Sequence, residues 1–346
     1  MNASTFSIYS LLLPPICSTV TLLLCLAAQP IAGKLGILDV PGGRKSHRRP
    51  TPLIGGIALL LGFYPWLAGW AVLNPQPVAA YLLPVIGCAT ALTVLGLIDD
   101  RVHLPAAFRL LFCFALIAFT LWNTPLLVLR SISWNLDAGS YSLGSVGLVF
   151  STICIVALIQ ASNLADGKNG LLIGMCLAWL FFLGARLPDS LTPMILGLCG
   201  MLIVLVAFNL AGRLFLGDGG SYGLATFIGF VAMLAANAPA APGSSDQIAL
   251  IFLLPVIDMV RLMITRLARG QSPFNGDRDH LHHHLLAAFG WPGGLAIYLM
   301  LVVLPSFVAA GAPRNILTII ALTVAVYLGI ITYARRMVRS HARGAA

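Results

Sequence analysis

The chain contains no glutamate and few charged residues of any kind. Only 9% of its 346 residues are charged, while 59% are hydrophobic. This composition excludes an ordinary soluble domain, in which about a quarter of the residues carry charge. The seven cysteines form no CxxC or Cys/His pattern and lie in apolar stretches, so we predict buried thiols rather than a metal site. The N-terminal MNASTFS lacks the basic residue of a signal peptide, so we expect the first apolar span to be retained.

About eleven apolar stretches approach the roughly 20 residues that a membrane-spanning helix needs. The predicted fold is therefore an all-α, polytopic integral membrane protein, with residues 1–346 forming a single membrane-embedded domain. The predicted spans are 8–29, 53–73, 78–98, 106–122, 146–162, 170–187, 191–208, 221–237, 247–265, 293–311 and 315–333.

The basic residues predict the orientation of these spans. If the N-terminus lies outside and the C-terminus is cytoplasmic, 17 of the 20 Lys and Arg residues share one side, leaving Arg130, Arg186 and Arg314 opposite. That side is predicted to be cytoplasmic. All seven histidines and eight of the eleven aspartates fall there too, although they were not used in the assignment. Anchoring to acidic lipid headgroups explains part of the net charge of +9, and a polyphosphate substrate would use the rest.

Two adjacent carboxylates, Asp99 and Asp100, end the apolar run of the third span. Carboxylates are costly at the edge of hydrocarbon, and the negative end of a helix dipole disfavours them further. We therefore expect a cation to bind the pair within the loop 99–105. The alternative is a solvated pair countered by Arg101.

The first inner loop, 34–56, is rich in basic residues, proline and glycine. Lys45 and His47 lie in its centre and are candidates to bind a phosphate or an anionic lipid head. The alternative is that the charges only orient the protein in the membrane.

The third inner loop, 163–170, places four polar residues between two spans. Asn163 and Asn169 are candidates to bind a sugar or a nucleobase. Asp166 lies shortly before the predicted start of a helix, and its alternative role is an N-cap.

The fourth inner loop, 209–221, begins with Asn209 and Arg213 and ends in a glycine-rich turn around Asp218. Exposed N–H groups at the start of the next helix favour a phosphate there. Asp218 beside them is well placed to share a Mg²⁺ ion with that phosphate.

The fifth inner loop, 266–292, carries four histidines within five positions: His280, His282, His283 and His284. They indicate either a transition-metal site or donors for phosphate oxygens, and the hard Asp ligands elsewhere favour phosphate. Just before this loop, Asp258 and Arg261 are three residues apart on one helical face and are expected to pair.

Taken together, these loops resemble those of the polyprenyl-phosphate N-acetylhexosamine-1-phosphate transferases, and most of all the members that prime O-antigen. The similarity runs from about Lys34 to Leu286. Five motifs carry it, all in the order of the family: LDVPGGRKSHRRPTPLIGG, DDR, NLADGKNG, RLFLGDGGS and DRDHLHHH. Each motif is weak alone, but five in order on one face are specific.

The resemblance implies a role for each motif residue. Asp99, Asp100, Asp166 and Asp218 are expected to be catalytic, and Asp218, with Asp99 and Asp100, is expected to hold Mg²⁺ or Mn²⁺. Asn169 departs from the pattern, because many bacterial members carry a second aspartate there. The expected substrate contacts are Lys45, His47, Asn163, Asn169, Asn209, Arg213, His280, His282 and His283.

The implied reaction transfers an N-acetylhexosamine 1-phosphate, by default GlcNAc 1-phosphate, from a UDP-sugar to undecaprenyl phosphate and releases UMP. The expected setting is the bacterial inner membrane, with membrane lipid as a partner, no nucleic acid, and a homodimer by resemblance. A rival hypothesis is a divalent-cation transporter using the histidines, which needs polar residues near the middle of the membrane. A CDP-alcohol phosphotransferase is disfavoured, because DGKNG is not followed by the rest of that class's motif.

Overall fold

The structure is a computed structural model that describes residues 3–41, 49–73, 82–134, 139–238, 245–273 and 279–344. Two short antiparallel hairpins lie in these ranges, β1 (Leu38–Asp39) with β2 (Thr51–Pro52) and β3 (Ser131–Ser133) with β4 (Ser140–Ser142). The same ranges contain thirteen α-helices: α1 (Ala3–Leu26), α2 (Ala28–Leu35), α3 (Gly55–Leu73), α4 (Leu83–Val102), α5 (Ala106–Asn123), α6 (Gly147–Ala165), α7 (Leu171–Gly184), α8 (Thr192–Leu210), α9 (Gly217–Asn237), α10 (Ser245–Ala268), α11 (Leu281–Phe289), α12 (Gly293–Gly311) and α13 (Ile316–Gly344). The mainly helical class is thus confirmed.

A helix lies at each of the eleven predicted positions, but not all of them have the length of a full span. Among the described residues, eight helices are long and apolar enough to cross a membrane, and a ninth arises if α1 and α2, bent by 66°, count as one span. The described part of α3 that qualifies as apolar, Gly55–Gly69, and α7 are shorter. The 14 residues of α7 rise about 21 Å, against roughly 30 Å of hydrocarbon. The predicted number of eleven spans is therefore not confirmed.

Helix α9 forms the centre of the bundle. Within its apolar window 89% of the residues are buried, against 22% for α5 and 28% for α13. Its main neighbours among the described helices are α3, α4, α6 and α7, and it packs most extensively against α4. The N-terminal turn of α9, which carries Asp218, is therefore held from several sides.

Glycines allow this close packing at the N-terminal end of α9. A Cβ atom on Gly96 of α4 would overlap the backbone of Asp218 and Gly219. One on Gly56 of α3 would lie 2.6 Å from the nitrogen of Gly220. Small residues let helix backbones approach in this way within membranes. Three helices consequently meet backbone to backbone beside Asp218.

Strands β3 and β4 pair so that Ile132 lies opposite Tyr141. The cysteines are free thiols that are buried or half-buried, as predicted.

Candidate functional site

The carboxylate Asp99 lies in the last turn of α4 and is buried, with 3% of its surface exposed. The next residues fold back over it, because His103 adopts a left-handed conformation with φ 55° and ends the helix. The N–H of Leu104 then donates to Asp99 Oδ1 at 2.7 Å. The solvated pair considered from the sequence is therefore excluded for Asp99.

Arg109, in the first turn of α5, is the cation that Asp99 binds. Its guanidinium donates to Asp99 Oδ2 and lies 3.7 Å from Asp218 Oδ2. It also donates to the hydroxyl of Tyr222 at 3.3 Å. Arg109 was not among the site residues predicted from the sequence, where Arg101 was the alternative partner of the pair. The available signal was a single charged residue inside the predicted span 106–122, which is uncommon without a function.

Asp100 joins α4 to the start of α9. Its two oxygens accept from the backbone N–H groups of Asp218 at 3.0 Å and Gly219 at 3.2 Å. These are the N–H groups for which the sequence analysis expected a phosphate. That expectation is wrong for these two groups, because an anion of the protein itself caps the positive end of the helix. The predicted metal-ligand role of Asp100 is also not favoured, since both of its oxygens already accept hydrogen bonds.

Asp218 is partly open, with 32% of its side chain exposed. Helix α9 begins at Gly217, four residues before the predicted start at 221, so Asp218 lies in its first turn. Asn163, in the last turn of α6, donates to Asp218 Oδ1 at 2.6 Å and to Ser221 Oγ at 3.1 Å. Asp218 thus contacts groups from α5 and α6 as well as from its own helix.

Asp166 directly follows α6 and is not an N-cap, so that alternative is wrong. Its backbone N–H bonds to the carbonyls of Ser162 and Asn163 and closes α6, whereas Gly170, with φ 81°, precedes α7. Burial, together with the charges of Asp218 and Asp100, raises the pKa of the Asp166 carboxyl well above its usual range. Asp166 therefore belongs to the same electrostatic cluster as Asp218.

Asn209 holds two loops together rather than facing a ligand. It is 4% exposed; its Oδ1 accepts from the N–H of Gly170 at 2.5 Å, and its Nδ2 donates to the carbonyl of Leu214 at 3.0 Å. The predicted substrate contact at Asn209 is corrected accordingly. Arg213, on the loop that Asn209 fixes, is exposed. The backbone carbonyl of Asn169 accepts from Trp291 Nε1 at 3.0 Å.

The histidines lie at and within α11, a short helix packed against the loop after α6. The rings of His280 and His282 stack with centroids 5.3 Å apart, and those of His282 and His283 are 4.3 Å apart. His282 is 2% exposed, and no described residue is a hydrogen-bond partner of its Nε2. A Cβ on Gly167 would lie 2.5 Å from that nitrogen. His282 therefore faces the turn that carries Asp166.

The base of the first inner loop also reaches this end of the bundle. The N–H of Phe215 donates to the carbonyl of Pro52 at 2.9 Å, and the N–H of Gly55 donates to the carbonyl of Phe215 at 3.2 Å. The centre of the loop, with Lys45 and His47, lies outside the described residues.

Charge and burial make His282 a neutral group. Burial lowers the pKa of the imidazole well below its usual range, and His283 and His280 lower it further. A neutral imidazole offers one donor and one acceptor. Among the described residues, no three His, Cys or Asp side chains are arranged to hold a metal ion, so the transition-metal interpretation of the histidines gains no support.

These observations define a polytopic membrane protein with a polar, aspartate-rich site at one end of its helix bundle. The sequence model described as glycosyl transferase family 4 matches residues 82–236. That range contains α4 to α9 and all four clustered aspartates.

Curated relatives extend the match beyond that range. An undecaprenyl-phosphate α-N-acetylglucosaminyl 1-phosphate transferase of Yersinia pestis is 31% identical over 274 residues, which are 75% of this chain and 72% of the relative. Proteins of the same description from Escherichia coli K12 and Pasteurella multocida are 28% and 30% identical over 285 and 289 residues, covering 78% and 75% of this chain and 74% of each relative. The chain belongs to glycosyl transferase family 4.

Proposed function

We propose that this protein transfers N-acetylglucosamine 1-phosphate from UDP-N-acetylglucosamine to undecaprenyl phosphate and releases UMP. The observation that carries the proposal is the convergence of Asp99, Asp100, Asp166 and Asp218, which come from three separate loops, at one end of the bundle. The relatives named above carry this activity in their descriptions. We further propose that this end faces the cytoplasm of a bacterial cell, where UDP-sugars are made.

The residues present fit a magnesium ion at Asp218. Mg²⁺ keeps several waters and binds through one or two carboxylates together with substrate phosphates. Asp218 is partly exposed, and Asn163 Nδ2 donates to its Oδ1 at 2.6 Å and so orients the carboxylate. When bound there, Mg²⁺, or Mn²⁺ in its place, would neutralise charge on the diphosphate of the sugar nucleotide. Asp99 is a weaker candidate ligand, because Arg109 and the N–H of Leu104 already occupy its oxygens.

The lipid phosphate is the nucleophile of the proposed reaction. One of its oxygens forms a bond to the phosphorus that carries the sugar, and the bond from that phosphorus to the UMP oxygen breaks. The second pKa of a phosphate monoester is near 6, so the nucleophile is already mostly dianionic at neutral pH. No protein base is needed, and Asp99 acts through Arg109.

Positioning and charge neutralisation then do most of the catalytic work. Arg109 supplies a positive charge beside Asp218. Arg213 is exposed on a loop held by Asn209 and can reach an incoming phosphate. His282, neutral and with a free Nε2 among the described residues, offers a hydrogen bond beside the Asp166 turn. We assign His280, His283, Asn163 and Asn169 to the sugar-nucleotide side as well, and Lys45 and His47 to the lipid phosphate.

The transporter hypothesis is not supported. The relatives are transferases, and the clustered aspartates and His282 gather at one end of the helices rather than along a path across them. A homodimer stays a prediction from the family resemblance.

The direct test is UMP release by the purified protein from a panel of UDP-sugars. Release from UDP-GlcNAc is expected only when undecaprenyl phosphate is present. Faster release from UDP-GalNAc or a deoxyamino sugar would keep the reaction class but change the proposed donor. Release that ignores the lipid phosphate would argue against the acceptor.

A further inference from the structure

Resting on the proposed function, we propose that Asp258 is a positioning residue that sets the histidine helix α11 through His280, and that Tyr327 of the last helix supports it. Neither residue belongs to the aspartate cluster around Asp218. Asp258 lies in α10 and Tyr327 in α13, so the proposal makes two further helices part of the active-site support.

Asp258 binds the N-terminal end of α11 in two ways. Its Oδ2 lies 3.3 Å from His280 Nδ1, and both of its oxygens accept from the N–H of Leu281, at 3.2 and 3.3 Å. A carboxylate in this position caps a helix from outside. A carboxylate can only accept, so Nδ1 of His280 carries the hydrogen. Asp258 therefore fixes both the position of the helix and the orientation of one imidazole.

Other side chains hold Asp258 itself in place. The hydroxyl of Tyr327 donates to Asp258 Oδ1 at 2.7 Å, and Arg261 Nη2 donates to the same oxygen at 2.9 Å. Arg261 Nε also donates to the Tyr327 hydroxyl at 2.6 Å. Asp258 is 4% exposed, and a buried carboxylate that is fully hydrogen-bonded has little freedom to move. The pairing of Asp258 with Arg261 predicted from the sequence is confirmed, and it is one part of this network.

A second carboxylate secures the same helix. Asp279 accepts from Arg335 at 2.5 and 2.6 Å and pairs with His284 at 2.7 Å. Arg261 also donates to Asp279 at 3.2 Å. Burial would raise the pKa of Asp279, but the bonds from Arg335 and His284 and the charge of Arg261 outweigh it and lower the pKa. Helices α10 and α13 and the start of α11 are thus linked through Asp279.

Asp258 is connected to the candidate site through the stacked rings of His280 and His282. His280 stacks on His282 at an interplanar angle of 14°, and His282 faces Gly167. If the orientation of His280 changes, His282 loses the surface on which it rests. Loss of a carboxylate that orients a metal-bound imidazole typically lowers activity by about ten- to a hundredfold, and we expect a loss of similar size for the imidazole of His280.

A double-mutant cycle on Asp258→Asn and His280→Ala tests this path. Asp258→Asn is expected to lower kcat/KM for UDP-GlcNAc by about ten- to a hundredfold, and His280→Ala by at least as much. Because Asp258 acts through His280, the double variant should equal His280→Ala alone. Effects that multiply would overturn the proposal. UDP binding and the melting temperature, measured on each variant, separate misplacement of the histidines from loss of fold.

Tyr327→Phe provides the second arm, with Thr323→Val as its matched control. Thr323 is also buried in α13, but the one hydrogen bond of its hydroxyl to a described residue goes to the carbonyl of Ile319 in its own helix, at 2.7 Å. Tyr327→Phe should lower kcat/KM several-fold and Thr323→Val should not; equal values would remove α13 from the proposal. If Asp258→Asn does not fold, the cycle of Tyr327→Phe with His280→Ala decides instead.

The two proposals fail differently. If the wild type releases no UMP with undecaprenyl phosphate, the proposed function and the positioning role fall together. If the wild type is active but the cycle shows no coupling, only the role of Asp258 is refuted.

Discussion

The carboxylate of Asp100 caps helix α9, whose first turn contains Asp218. Its oxygens accept from the N–H groups of Asp218 and Gly219 at 3.0 and 3.2 Å, while Asp99 beside it binds Arg109. Adjacent aspartates thus do different work: one fixes the backbone under Asp218, and the other holds the cation beside the Asp218 side chain. Their separate roles lead to separate expectations for their variants.

Asp100→Ala is expected to lower stability and activity together. Loss of a helix cap costs about 0.5–2 kcal/mol, and the turn carrying Asp218 loses its support. Asp100→Asn keeps one acceptor oxygen and should retain more of both properties. The measurements are thermal unfolding in detergent and UMP release. An alanine variant with normal stability would show that the cap is dispensable.

Gly96→Ala tests the close approach of α4 to α9. The added methyl would overlap the backbone of Asp218 and Gly219, and overpacking of this kind costs about 1–3 kcal/mol. Gly87→Ala is the matched control, because it lies in the same helix and its added methyl meets nothing within 4 Å. Thermal unfolding and kcat of both variants should differ clearly. Two variants that behave alike would contradict the packing described for Gly96.

Arg109→Gln should destabilise the protein by leaving Asp99 buried without a cation. Removing one partner of a buried ion pair costs about 3–5 kcal/mol. Adding Asp99→Asn removes the unpaired charge, so the double variant should recover much of the stability. It should not recover activity, because the charge beside Asp218 is still missing. Recovery of both would assign the pair to stability alone.

Asp166→Asn is expected to raise stability while it lowers activity. The pKa of Asp166 is raised in the folded protein, so ionising it opposes folding. This opposition is absent where the carboxyl is protonated in both the folded and the unfolded state, and it grows as the pH rises above the unfolded pKa. The gain in melting temperature should therefore be larger at pH 8 than at pH 5, and a gain that shrinks with pH would contradict the shift. UMP release should fall about ten- to a hundredfold, as for a lost hydrogen bond to a charged group.

The sequence was most informative about the helices and the loops that carry the site. Apolar runs placed a helix at each of the eleven positions, and Asp99, Asp166, Asp218 and His282 do gather at one end. Their gathering could be expected because charged and polar motif residues all fell on one side of the predicted topology. The number of full spans was less predictable, since apolar composition does not reveal that α7 has only 14 residues.

The sequence did not reveal which residues contact one another in the folded protein. Arg101 is adjacent to the aspartate pair, yet Arg109 binds Asp99, because the left-handed turn at His103 reverses the chain. The amide of Asn209 suggested a ligand contact, but it is buried between two loops, and its partners among the described residues are backbone groups. The glycines after Asp218 suggested room for a phosphate, whereas they admit α3 and α4. Each of these outcomes depends on the packing of helices far apart in sequence.

The most direct measurement of the central claim compares the wild type with Asp218→Asn in UMP release from UDP-GlcNAc. Both proteins would be purified in detergent and assayed with and without undecaprenyl phosphate and Mg²⁺. The account predicts that the wild type needs both additions and that Asp218→Asn stays folded but inactive even at high Mg²⁺. Near-normal release by Asp218→Asn, or release by the wild type after chelation of all divalent cations, would contradict it.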